Sequence, residues 1–161
     1  MNRRTFTAGV VTFLLSAHGV AMASPMSECE DLMNEALTLA EKMLREHGEF
    51  YPYGLTLDMT GKVAHLGATD GTEHPASAPL IKLLTAQFEE GAKKGKYRAT
   101  ALIYDVRVLD PSTGAKSDAI AVALDHRENY SVVVFIPYTI QEGQYLPGKV
   151  FAQKGEGHVF R

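Results

Sequence analysis

Two short polar clusters hold the side chains of this 161-residue chain best suited to chemistry. Asp70, Glu73 and His74 stand just ahead of a helix signal, and Asp125, His126 and Arg127 close a strand-like run. A histidine oriented by a carboxylate works as a general base, and the same groups with a water make an open zinc site. Brought to one edge of a sheet, the clusters would form a small metal-binding or hydrolytic site using His74 and His126 with the nearby acids. The linear spacing does not demand this. There is no His-x-His, no histidine pair at i, i+4, and Cys29 is the sole cysteine. Read plainly, Glu73 and His74 cap a helix, and Asp125 pairs with Arg127 across a turn, an exposed pair contributing about 0–1 kcal/mol. No catalytic residue, metal set or cofactor is assigned on spacing alone. Gly143 to Lys149 has the glycine spacing of a phosphate loop, but Val150 stands where Ser or Thr would hold magnesium.

Aromatic residues form the other chemical signal. Tyr51, Tyr53, Tyr138 and Tyr145, with Phe50 and Tyr130, fall at strand ends and in loops. Tyrosine gives rigid contact area with a polar tip, which suits a protein-binding edge. The plainer alternative is that these rings close the ends of a sheet over its core.

The elements that must position these groups follow from periodicity. Cys29, Leu32, Met33, Ala36, Leu37, Ala40, Met43 and Leu44 recur at helical steps, with Ser27 and Glu30 at capping-box spacing and Gly48 as the stop. On that stripe Cys29 reads as a small buried residue rather than a reactive thiol. Leu55 to Asp58 and Lys62 to Leu66 read as a hairpin about Met59-Thr60-Gly61. Leu80, Ile81, Leu84 and Phe88 share one face of a second helix, whose start lies near Pro75 and Pro79. Residues 97–138 then alternate as three strands, with turn chemistry at Asp110 to Gly114 and at Arg127 to Tyr130. Thr139 to Gly148 reads as a loop, and Lys149 to Ala152 and Gly157 to Phe160 as short edge strands. The order predicts an α+β domain: one antiparallel sheet of about five to seven strands carrying two helices. Alanines alternating along the strands would let a helix sit close to the sheet.

Residues 1–23 read as an export signal: Arg3 and Arg4, an apolar stretch from Gly9 to Leu15, and Ala21-Met22-Ala23 before Ser24. Asn2-Arg3-Arg4-Thr5-Phe6 also fits a twin-arginine signal. Removing 23 of 161 residues leaves a 138-residue domain, 24–161, and moves the formal charge from −3 to −5 because Arg3 and Arg4 are the only charges lost. An acidic surface argues against nucleic acid as a partner, and no second apolar run offers a membrane span. A lone cysteine allows no internal disulfide in an oxidising compartment, so the core must hold the fold alone.

Phe50-Tyr-Pro-Tyr-Gly-Leu-Thr-Leu-Asp58, Glu73-His74-Pro75, Ala123-Leu-Asp-His-Arg127 and Ile136-Pro-Tyr138 together resemble the motifs of a group of small bacterial α+β proteins. The resemblance covers nearly the whole mature chain and implies one domain; it brings no activity and no catalytic residues. The element order is also similar to profilin-like and roadblock-like sheets. Together these readings predict an exported, periplasmic, non-enzymatic binding protein that engages an envelope protein in the manner of an inhibitor or immunity protein. The alternatives are the histidine site above, and a small-molecule sensor whose pocket lies between sheet and helices.

Overall fold

Helix α1, Pro25–His47, opens the computed structural model, which describes residues 23–161. Its N-cap is Ser24, whose hydroxyl accepts the Ser27 N–H at 3.1 Å, with Pro25 in the first turn where a missing N–H costs nothing. The cap therefore sits three residues ahead of the Ser27–Glu30 box. Proline decides this, because its fixed φ already suits the first helical position. Gly48 ends the helix in the left-handed region, φ 76°, and returns its N–H to Leu44. The export signal read at 1–23 lies, except for Ala23, outside the described residues. None of the described helices is long and apolar enough to cross a membrane.

Strands β1 (Tyr53–Asp58) and β2 (Val63–Leu66), helix α2 (Ser77–Lys93), and strands β3 (Tyr97–Leu109), β4 (Lys116–His126), β5 (Tyr130–Gln141), β6 (Gln144–Pro147) and β7 (Phe151–Lys154) complete the order. All seven described strands join one antiparallel sheet, β2-β1-β3-β4-β5-β6, with β7 beside β6 on the outer edge of β5. The α+β class and helix positions are those the periodicity predicts. The C-terminal third differs. Thr139 to Gly148 is not a loop: Glu142 and Gly143, both at positive φ, make a two-residue turn that extends β5 and returns β6. Gly157 to Phe160 is not a strand but a tail that tucks Val159 into the core.

Strand alternation assigns the faces. Leu55 and Leu57, Ala99, Ala101 and Ile103, and Ile120, Val122 and Leu124 pack with Cys29, Leu32, Ala36, Ala40 and Leu44 of α1. The opposite face carries α2, whose Phe88 lies directly over Gly54, where a Cβ would overlap the ring. Helix α2 sits on β1 and β3. The alanines therefore divide. Ala99 and Ala101 of β3 seat α1 as expected, whereas Ala119, Ala121 and Ala123 of β4 face away from it, beyond the reach of α2. The glycine in β1, one strand further on, draws α2 off the alanine column.

Tyr53, Tyr138 and Tyr145 are buried and close the core; of the four named tyrosines only Tyr51 is exposed. Tyr53 donates to the Ala36 carbonyl at 2.6 Å. Tyr145 packs 5.7 Å from Tyr138, ring to ring, and its buried hydroxyl has no partner. An unmet buried hydroxyl costs about 1–3 kcal/mol, and Tyr145→Phe removes it while keeping the ring. The expected result is a urea midpoint equal to or above that of the parent.

Candidate functional site

Asp125, His126 and Arg127 are consecutive at the end of a strand, so alternation sends them apart. His126 points to the α1 face and is almost wholly enclosed. Its Nδ1 accepts the Glu128 N–H at 3.1 Å, so Nε2 carries the proton and donates to Glu28 at 3.0 Å. Glu28 also accepts from Arg98. The histidine thus straps the first turn of α1 to the sheet. Arg127 leaves the strand and places Nη1 3.0 Å from the Met59 sulfur, not on Asp125. Cys29 lies buried close by, its thiol pushed up to about 12 by burial first, then by the charges of Asp125 and Glu28. That is an inert packing cysteine.

The other cluster is elsewhere. Tyr53 at the start of β1 pairs with Ile103, whereas Leu57 near its end pairs with Ala99, which faces His126 across β3 and β4. His74 stands at the first of these ends, its Nδ1 3.4 Å from the exposed Tyr51 hydroxyl. Four residues of strand, on the order of 13 Å, separate the two ends. His74 and His126 therefore do not meet, and the shared histidine site is not assembled. Glu73 is exposed, and α2 has no side-chain cap. Asp70 folds its own loop instead, accepting from the Thr72 N–H and hydroxyl, bonds that hold its carboxyl below the usual range. Among the described residues no three or more of His, Cys, Asp and Glu converge as a metal group would require.

Asp125 takes the opposite face, and there the sheet opens into a cavity of about 560 Å³. Ile81, Thr85 and Phe88 of α2 form one wall, and the end of β7 (Gln153, Lys154) with the tail that follows it to Val159 the other. Register sets out the floor in rows across β3, β4 and β5. Thr100, Asp125 and Ser131 make a polar row; Leu102, Ala123 and Val133 make an apolar one beside it; Tyr104 carries the floor on, while Ala121 and Phe135 of its row are buried and do not line the cavity. Ala123 is the trough, and Leu102 and Val133 are its banks. Gly155 lines the polar end, and a Cβ on neighbouring Gly157 would stand 4.0 Å from Asp125 Oδ1. That oxygen is buried and has no hydrogen-bond partner. Thr100 and Ser131 escape notice in the sequence because a lone hydroxyl in a strand carries no pattern; only the pairing register aligns them with Asp125.

A half-buried acid sits on the α1 face. Asp105 accepts from the Tyr138 hydroxyl at 3.0 Å, yet burial outweighs that bond and lifts its carboxyl above the usual range. A raised folded-state value means that the folded chain holds the proton more tightly. Its contribution is therefore most favourable below the ordinary aspartate value of about 3.9 and is lost as pH rises through the raised one. Asp105→Asn keeps an acceptor for Tyr138. The variant should be more stable than the parent at pH 7, with the difference closing on acidification, as read from urea midpoints across pH.

Comparison with protein-family models, curated proteins and solved structures gives no match to this chain.

Proposed function

We propose that this chain is an exported binding protein that holds a small organic ligand in the cavity between α2 and the C-terminal tail. The observation that carries the reading is the trough at Ala123, which leaves room between Leu102 and Val133 of the flanking strands. Concave, largely apolar sites with a few polar groups at one end are where proteins hold small molecules. The remaining polar side chains favour binding over catalysis: His126 and Glu28 are committed to strapping α1, and His74 stands at the other end of the sheet. Export rests on the basic start and the Ala21-Met22-Ala23 site, and cleavage after Ala23 would leave the Ser24 cap of α1 intact. Intact-mass measurement of protein from the envelope fraction checks that boundary.

The test of the cavity is a ligand-observed NMR screen of a small-fragment library against the chain and against Ala123→Leu, which fills the trough. Fragments that bind the parent and are lost in the variant support the reading. Fragments that bind both alike overturn it. A second reading, capture of an envelope protein, is favoured by one observation: among the described residues β2 pairs only with β1, so Val63–Leu66 is an edge strand to which another strand could add. A partner enriched by the tagged chain but not by Ala64→Pro would support it.

A further inference from the structure

The polar row at one end of the cavity carries more information than its volume. Asp125 is 9% exposed, and its Oδ1 is buried without a hydrogen-bond donor. Among the described residues no other charged side chain shares that depth at this site. Lys154, Glu156 and His158, which also line the cavity from the tail, are exposed, so water screens them. The nearby basic side chains Arg98 and His126 are bound to Glu28 on the α1 side. A desolvated carboxylate oxygen with no donor therefore borders the Leu102–Ala123–Val133 row, which offers no polar group of its own.

Resting on the cavity reading above, we infer that the occupant is an amphipathic organic cation: an ammonium head donating to Asp125 and an apolar body lying along the alanine trough toward Tyr104. Charge and depth select the head, since a charged donor gives a buried carboxylate a stronger hydrogen bond than a neutral one. Register selects the body. From Thr100, beside Asp125, to Tyr104 the floor runs four residues of β3, on the order of 13 Å, with Leu102 and Ala123 between. An aromatic or aliphatic body would lie along it. Phe88 in the α2 wall and Tyr104 on the floor flank that body with ring surface. A bare metal ion is a poorer occupant, because one carboxylate and two hydroxyls do not make a ligand set.

Calorimetric titration of the full chain with two amines and their neutral isosteres tests this: phenethylamine against 2-phenylethanol, and octylamine against 1-octanol. The expected result is that at least one amine binds the parent. Its alcohol should bind about ten-fold more weakly or less, and Asp125→Asn should lose about ten-fold or more of the amine's affinity. Asp125→Asn should melt no lower than the parent, which shows that the loss is not unfolding. If an amine and its alcohol bind equally and Ala123→Leu abolishes both, the cation assignment falls while the cavity reading stands. If no amine binds at millimolar concentration, or if binding survives both Asp125→Asn and Ala123→Leu, the assignment is overturned. In the latter case the ligand is not in this cavity, and the cavity reading loses its support from that ligand too.

Discussion

Val122→Asp should abolish cooperative folding. Val122 is fully buried at the centre of β4, paired with Ile103 on one side and Val134 on the other, beneath α1. Neither neighbour nor the alanine-lined helix above offers a donor to a carboxylate. An unpaired charge there costs several kcal/mol, and losses beyond about 4 kcal/mol belong to changes of this kind. A domain of this size has roughly 5–15 kcal/mol in reserve. With no disulfide available to restrain the unfolded chain, that loss brings it to the edge of unfolding. Far-UV circular dichroism against temperature should show a broad, early transition, and Val122→Ala a sharp one at reduced midpoint. A sharp parent-like melt for Val122→Asp would mean that β4 is not the centre of the core.

Gly54→Val should destabilise the domain by unseating α2. The Phe88 ring lies on Gly54, and Phe88 is itself buried, so a side chain at 54 cannot be met by a small ring movement. Overpacking of this kind costs about 1–3 kcal/mol, or roughly 2–12 °C in melting temperature for a chain of this length. Valine otherwise favours a strand, so the sign comes from the contact alone. Phe88→Ala by itself should cost about 3–5 kcal/mol. Joined with Gly54→Val it should cost less than the two added together, because valine then occupies space the ring has vacated. Strict additivity in urea midpoints would show that α2 does not rest on Gly54. Since Phe88 is also part of the cavity wall, the same variant should weaken any ligand held there.

Much of the fold is legible before any coordinates. The stripe from Cys29 to Leu44 names α1, the Ile120-Val122-Leu124 alternation names β4, and Asp110 to Gly114 names the turn before it, because each depends on near neighbours in sequence. Where local signals compete, the reading slips. Ser24 with Pro25 outcompetes Ser27 with Glu30 for the cap, and Glu142-Gly143 is a hairpin turn inside what composition marks as loop. The tyrosines show the same limit: a ring at a strand end suits either surface or core, and only packing against α1 shows that Tyr53, Tyr138 and Tyr145 are inside.

The candidate site lies almost wholly on the other side of that divide. Asp125 is visible in the sequence as part of a polar triplet, but the triplet is an accident of adjacency that the pleat takes apart, giving His126 to α1 and Asp125 to the trough. What joins Asp125 to Thr100 and Ser131 is the register of three strands, and what leaves the trough open is the lateral position of α2. Sequence periodicity determined which face of each strand turns inward, because side chains alternate whatever the neighbours are. Which rows align, and which stretch of floor stays uncovered, was decided by the tertiary structure, because it depends on a single ring settling on a single glycine one strand away.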